Sequence, residues 1–344
     1  MTTVNKKGTE KVTIAIVAYN AGEYLQVCVD ALAAQTFTAF KAVVVDNAST
    51  DDAVATLSLP DDRFAVDFVG ENLGFAKANN RIAFNTETEW FLTLNPDTKV
   101  STTWLEKLLE GTERWPDAVA FGSTQLRLGE PGVLDGAGDV WHAAGVAWRA
   151  LEGRSEALNP NEGETFAPCG AAALYKTNSF REIGGFDESF FCYCEDVDLG
   201  YRFRLNGKLC IQIADSFVSH AGSGTTGRYS DFTIYHGHRN RIWVFVKNTP
   251  SFLFWFLLPA HIALNFRILQ KSPTPEYRTS LLRAYRAALS GLGPVWKRRK
   301  QIQKQRRASL RSLVRAMAWT PKLITNRAPL LDKNGCRVRT SATD

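Results

Sequence analysis

Short apolar, β-branched runs alternate with amphipathic stretches through the first hundred residues. Residues 12–19 and 41–45 are almost continuously apolar, the pattern of strands buried on both faces. Residues 64–69 and 90–94 predict two further strands. Leu25, Cys28, Val29 and Leu32 recur at helical spacing, with residues 20–23 (Asn-Ala-Gly-Glu) placed to cap that helix. A second helix is predicted over residues 75–84. Strands alternating with helices predict a parallel α/β sheet, in which ligands sit beyond the carboxyl ends of the strands. Asp46 and Asp97 stand at such ends. An acid there also serves as a helix cap, so either one alone leaves both readings open.

The second half is less periodic. Residues 127–165 are rich in Gly and small residues and predict loops with short strands. Residues 166–175 predict a strand whose Gly-Ala-Ala-Ala run lets a ligand approach the backbone. A helix is predicted over 195–206, ended by Asn206-Gly207, then a strand over 208–213 leading to 217–220, then a helix over 229–247. The segment 191–202 (FCYCEDVDLGYR) sets Glu195, Asp196 and Asp198 within four positions. Clustered acids repel one another, and a helix N-terminus offsets part of that cost. An acid-rich first turn is also common without any chemistry. The apolar run 252–264 is shorter than the roughly 20 residues of a spanning helix.

Composition adds compartment and partner. The 344 residues are 45% hydrophobic and 22% charged, as in soluble globular proteins. The N-terminal stretch is polar, residues 1–10 are expected to be disordered, and no secretory signal is visible, which predicts a cytoplasmic protein. Cysteines 28, 169, 192, 194, 210 and 336 are scattered and lack zinc spacing, so reduced thiols are expected. Residues 251–344 carry 19 Lys and Arg against 3 Asp and Glu, whereas the preceding 250 carry 22 against 32. Such a split predicts a tail that meets an anionic surface. The basic cluster has no interleaved aromatics for base stacking, which disfavours nucleic acid. An apolar, Trp-containing run beside basic helices fits an anionic membrane surface, with a core helix and a solvated tail as the alternative.

Read in order, the motifs are more specific than any one of them. They are residues 12–20, Asp46-Asn47-Ala48-Ser49-Thr50-Asp51, Asn72-Leu73-Gly74-Phe75-Ala76, Asn95-Pro96-Asp97-Thr98, Gly184-Gly185-Phe186-Asp187-Glu188, Glu195-Asp196-Val197-Asp198, His220 and Arg239-Asn240. This series resembles family 2 inverting glycosyltransferases of the GT-A fold over residues 11–250. Within them it is most similar to the rhamnosyltransferase-like branch of cell-surface polysaccharide synthesis. Residues 251–344 would then be a helical, basic, membrane-associating extension.

The resemblance implies roles. Ala18, Tyr19, Asn20 and Asp46 would contact the donor nucleotide, and Asn72, Gly74 and Asn79 would shape its loop. Asp97 and His220 would hold Mg²⁺ or Mn²⁺ on the donor diphosphate, with Asn95 in place of the first Asp of the common D-x-D. Arg239 would pair with diphosphate oxygens, since a guanidinium fork suits them. Asp196 would be the general base, with Glu195 and Asp198 orienting it or binding acceptor. Gly170 and Ala171 would line the sugar pocket. Trp141, His142 and Trp148 stand as acceptor contacts or as core. The implied donor is dTDP-L-rhamnose, with UDP-galactofuranose or another UDP-hexose as the alternative. The implied acceptor is a glycan, or a glycan on polyprenyl diphosphate, at the inner face of the cytoplasmic membrane. A catalytically silent nucleotide- or glycan-binding protein would share the fold, but it would be expected to have lost Asp97, Asp196 or His220.

Overall fold

The computed structural model describes residues 10–155, 162–222, 230–322 and 327. The expectations for residues 1–9 and for the chain beyond 327 lie outside it. The first half builds β1 (Val12–Ala18), α1 (Tyr24–Ala33), β2 (Phe40–Asp46), β3 (Phe64–Phe68), α2 (Gly74–Asn85) and β4 (Trp90–Leu94). These four strands pair in parallel in the order β4-β1-β2-β3. Ala18 stands level with Asp46, and Asp46 with Phe68. The carboxyl ends therefore form one rim carrying Tyr19, Asn20 and Asp46, with Asn95–Asp97 following β4.

The second half adds β5 (Thr98–Val100), α3 (Trp104–Arg114), β6 (Ala118–Arg127), β7 (Leu134–Gly136), β8 (Asp139–His142), β9 (Val146–Arg149), β10 (Gly163–Glu164) and β11 (Ala172–Lys176). It continues with α4 (Thr177–Glu182), a 3₁₀ turn (Glu188–Phe190), α5 (Glu195–Leu205) and β12 (Leu209–His220). Counted over the described residues, one ten-stranded sheet runs β10-β12-β6-β11-β4-β1-β2-β3, with β5 on β12 and β7 on β6. β11 is antiparallel to both neighbours, while β12 and β6 are parallel. β8 and β9 form a separate hairpin. One sheet face packs on α1 and α3 through Leu25, Val29, Trp104 and Leu108. The other packs on α2, α4 and α5 through Ala76, Phe180, Leu199 and Phe203.

The chain ends in α6 (Asp231–Asn248), α7 (Ser251–Gln270), α8 (Pro275–Ser290), α9 (Leu292–Gln305) and α10 (Leu310–Ala316). These helices share a core with α5, where Tyr201, Trp243, Phe245, Leu257, Val295 and Leu313 are buried together. The tail is thus packed onto the body. α9 reaches it through Arg299, whose guanidinium donates to the Val246 and Thr249 carbonyls at 2.5 Å each, capping the C-terminal end of α6.

Three expectations change, and one open alternative is favoured. The apolar run grows into a helix of 20 residues, enough by length and composition to cross a membrane. The strand expected over 166–175 begins only at Ala172, because Pro168 lacks a donor and the Gly170 N–H binds a side chain outside the ladder. Asn20 does not cap α1. It adopts φ +51°, which Asn tolerates, and its Oδ1 accepts the Thr50 N–H at 2.7 Å. Trp141, His142 and Trp148 are all buried, which favours the core alternative.

Gly74 fixes how the first half meets the second. Its φ is +72°, and a Cβ there would lie 2.6 Å from the Phe191 ring and carbonyl oxygen. Gly74→Ala is expected to destabilise the fold by about 1–3 kcal/mol, read as a lowered denaturation midpoint.

Candidate active site

Strand pairing brings three polar side chains together at the rim. β12 pairs with β5 so that His220 stands opposite Thr98, next to the turn that follows β4. His220 Nε2 lies 3.4 Å from Asp97 Oδ1 and 3.5 Å from Asn95 Nδ2. The other ring nitrogen, Nδ1, is 2.8 Å from Asp135 Oδ2. Asp97 and His220 are both buried. Asp135 is also held by Arg149. Burial would raise the Asp135 carboxyl, but His220 and Arg149 outweigh it and hold it below the usual range. Burial would lower His220, and the carboxylates of Asp135 and Asp97 raise it instead. A carboxylate on Nδ1 orients the ring and leaves Nε2 toward Asp97. Asp135 and Arg149 lie in the irregular stretch 127–165, and no local motif marks them.

Asp97 Oδ1 and His220 Nε2 are one oxygen and one nitrogen donor converging from the turn after β4 and from the end of β12. Among the described residues no cluster of three or more His, Cys, Asp or Glu suited to a metal occurs. Two protein ligands suit a cation that completes its shell with phosphate oxygens and water.

The acid cluster forms the first turn of α5, on the sheet face that also carries α2 and α4. Asp196 Oδ2 accepts the Gly170 N–H at 2.9 Å, and its Oδ1 accepts the Val197 N–H at 2.7 Å. Burial raises the Asp196 carboxyl, and these backbone donors with Arg149 restrain the rise. One residue on, the Ala171 carbonyl accepts the Asn95 N–H at 2.8 Å. The dipeptide 170–171 therefore joins Asp196 to the Asn95–Asp97 turn. A Cβ at Gly170 would sit 3.3 Å from Phe75 and 3.4 Å from the Asp196 Cβ, so little space remains there. Glu195 is buried with Oε2 unpartnered. Burial and then the Asp196 charge raise it well above the usual range. Asp139, buried on β8, is raised for the same two causes in the same order.

Asp198 departs from its expected role. It is fully buried, with Arg202 Nε at 2.8 Å, Lys247 Nζ at 2.6 Å and Asn248 Nδ2 at 2.7 Å. Burial would raise its carboxyl, and Lys247 and Arg202 hold it low. This carboxylate anchors α5 to α6 and is taken up there. Lys247 also meets Asp187 at 2.5 Å, tying in the Gly-Gly-Phe-Asp-Glu motif.

Arg239 also departs from expectation. Its guanidinium donates to the Phe190 carbonyl at 3.0 Å and the Ser189 carbonyl at 3.3 Å, and it lies over the Trp243 ring. It binds the loop that leads into α5. That loop is strained. Phe191, Tyr193 and Cys194 have φ of 66°, 71° and 66°, uncommon for residues with a Cβ. Phe191 has ψ −63°, and the Cys192 N–H donates to the Phe190 carbonyl at 2.8 Å, a rare, strained γ-turn. Buried Asn240 holds it, with Nδ2 on the carbonyls of Phe190, Cys192 and Tyr193 at 3.0, 2.8 and 2.7 Å.

The rim opposite is ordered by short polar side chains. Asp46 Oδ1 accepts the Ser49 N–H at 3.0 Å. Asn72 Oδ1 accepts from Asn47 Nδ2 and from the Gly74 N–H. Ala18 is buried, its carbonyl accepting the Asn47 N–H, while Tyr19 is exposed. Asn79 is fully buried inside α2, donating to the Phe75 carbonyl, so it stiffens the helix behind the loop.

A parallel half-sheet with an ordered rim, continued by a mixed half bearing Asp97, His220 and Asp196, is the architecture of a GT-A glycosyltransferase. The model of the family described as "Glycosyl transferase family 2" matches residues 13–184, and the chain belongs to that family. The chain is similar to the N-acetylglucosaminyl-diphospho-decaprenol L-rhamnosyltransferase of Mycobacterium tuberculosis (strain ATCC 25618 / H37Rv), 27% identical over 313 residues, 82% of this chain and 97% of the relative. It is also similar to the O-antigen biosynthesis protein RfbC of Myxococcus xanthus, 29% identical over 64% of this chain and 18% of that one. Among solved structures, GalNAc-T7 with UDP, GalNAc and Mn²⁺ superposes with a TM-score of 0.57 at 14% identity, over 80% of this chain and 54% of that one. TarS 1-349 from S. aureus in complex with UDP-GlcNAc gives 0.52 at 16% identity, over 85% and 88%. These likenesses show the fold.

Asn240→Ala removes the donor shared by three loop carbonyls. It is expected to cost about 2–4 kcal/mol of stability and to speed amide exchange over residues 190–194, measured by hydrogen–deuterium exchange.

Proposed function

We propose that the protein is an inverting rhamnosyltransferase, moving L-rhamnose from dTDP-L-rhamnose to a glycan carried on a polyprenyl diphosphate. The observation that carries the chemistry is the half-buried Asp196, held by the Gly170 N–H within one dipeptide of the Asn95–Asp97 turn. An inverting transfer needs one carboxylate and no covalent sugar–enzyme intermediate. The acceptor hydroxyl oxygen attacks the anomeric carbon, and its proton passes to Asp196. The bond from the anomeric carbon to the diphosphate oxygen breaks, and the nucleoside diphosphate leaves with the electron pair. Glu195, raised well above the usual range by burial and then by the Asp196 charge, would favour its neutral form beside Asp196 and so add no second charge there.

Asp97 and His220 would hold Mg²⁺ or Mn²⁺, with Asp135 fixing the imidazole. Such a cation, when bound, offsets the charge that develops on the leaving diphosphate. Asp46 and Asn72 would face the nucleotide across the rim, where Gly74 admits the close turn. The choice of sugar and acceptor is supported by the Mycobacterium relative, whose name specifies rhamnose and N-acetylglucosaminyl-diphospho-decaprenol. A lipid-borne acceptor places the enzyme at the inner membrane face, in keeping with the basic tail.

Titration calorimetry with dTDP-rhamnose, UDP-galactofuranose, UDP-glucose and GDP-mannose, with and without Mn²⁺, tests the donor. Metal-dependent binding of dTDP-rhamnose alone supports the reading, and preference for a UDP-hexose overturns the sugar assignment. Asp196→Asn is expected to lower turnover by about 10²–10⁴-fold with donor binding retained; comparable turnover would remove Asp196 from the base role. Because Asp196 is raised and acts deprotonated, kcat/KM should fall as pH drops, with a midpoint above the ordinary aspartate range. Asp135→Asn is expected to weaken Mn²⁺ affinity by roughly 10–100-fold while dTDP binding without metal is unchanged.

A further inference from the structure

Helix α7 has two apolar faces, and among the described residues only one is packed against the protein. Leu253, Phe254, Leu257 and His261 are buried against the body. Phe252, Trp255, Phe256, Ile262 and Phe266 recur along the opposite side and are 59–71% exposed. A contiguous stripe of that kind marks an interaction surface. Length and composition would let α7 cross a bilayer, but its buried face is bolted down along the helix. His261 Nδ1 bonds the Ala144 carbonyl at 2.9 Å, and the ring stacks on Phe245 at 4.0 Å. Asn265 Oδ1 accepts from Arg241 at 2.6 Å, and the Asn265 carbonyl accepts the Tyr285 hydroxyl at 3.0 Å. Phe254 packs on Trp296 of α9 at 5.6 Å. A spanning orientation would strip Arg241 and His261 of these partners inside the protein core.

Charge identifies the occupant. Arg267 and Lys271 close α7, and Arg286, Lys297 and Lys300 are exposed on the helices packed beside it. Among the described residues past Ser251 the one acidic side chain is Glu276. A second copy would present the same positive tail to this one and be repelled, whereas an anionic lipid surface attracts it.

We propose that α7 lies in the plane of an anionic membrane as a one-leaflet wedge, with Phe252, Trp255, Phe256, Ile262 and Phe266 among the headgroups and upper acyl chains. The proposal builds on the membrane-face reading above and is independent of donor identity. The test uses the full chain with vesicles of phosphatidylcholine containing about 30% phosphatidylglycerol, and with phosphatidylcholine alone. Flotation with the anionic vesicles, weakening with salt, is expected. The doubly substituted Trp255→Glu, Phe256→Glu protein should bind them about tenfold or more weakly, with dTDP-sugar binding and near-ultraviolet circular dichroism unchanged. Brominated lipids should quench Trp255 best from upper acyl positions, with Trp255→Phe as the blank, and alkaline carbonate should release the protein. Quenching strongest at the bilayer centre with resistance to carbonate would overturn the in-plane assignment in favour of a span. Vesicle binding indifferent to the two glutamates, or a dimer that these substitutions dissociate, would overturn the lipid assignment. The quenching experiment on the unsubstituted protein decides the matter even where the double variant fails to fold. Loss of donor binding in the unsubstituted protein would instead count against the proposed reaction.

Discussion

The site depends on a two-residue span of backbone. The Gly170 N–H is given to the Asp196 carboxylate, and the Ala171 carbonyl takes the Asn95 N–H. The Ala171 carbonyl prolongs the β11–β4 register by one bond, whereas the Gly170 N–H leaves it for a side chain, and β11 begins at Ala172. A buried backbone donor must find a partner, so forgoing the ladder obliges Asp196 to be where it is. The same span sets the separation between the acid and the Asn95–Asp97 turn. Asp196 and the Asn95–Asp97 turn are both held by it.

The segment bearing Asp196 is held from behind at some conformational cost. Three residues with Cβ atoms take positive φ just before α5, which costs of order 1–3 kcal/mol each. Asn240 and Arg239 on α6 satisfy the loop carbonyls, and Lys247 sits between Asp187 and Asp198 at 2.5 and 2.6 Å. Helix α9 then clasps α6, with Arg298 on Asp187 and Arg299 on the α6 C-terminal carbonyls. The tail is thus mechanically continuous with the acid helix. A membrane that engages the tail would meet a rigid extension of the site.

Much of this was legible in the chain. The apolar runs at 12–19, 41–45 and 90–94 became β1, β2 and β4, because fully buried parallel strands leave little other choice of residue. The family was legible from ordered motifs, and the family model bears it out over residues 13–184. The roles of individual acids were less legible. Asp196 and Asp198 are equally acidic in sequence, yet the second is consumed by Arg202 one turn along α5 and by Lys247 from α6. Arg239 reads as an anion ligand, but the strained loop claims it. Asp135 and Arg149 stand behind His220 through the pairing of β6 with β7 and of β8 with β9, contacts between segments whose local sequence carries no period. The 20-residue α7 exceeded its apolar run because Asn265 and Arg267 are tolerated where one finds Arg241 and the other faces solvent.

In the proposed reaction a single carboxylate, Asp196, would serve a one-step displacement. The most direct measurement is the anomeric configuration of the first product formed from dTDP-L-rhamnose and a lipid-linked acceptor, read by proton NMR before any secondary reaction. A product inverted at the anomeric carbon relative to the donor is expected. Retention of configuration would contradict it, since that outcome requires a chemistry in which Asp196 is not the base of a direct attack.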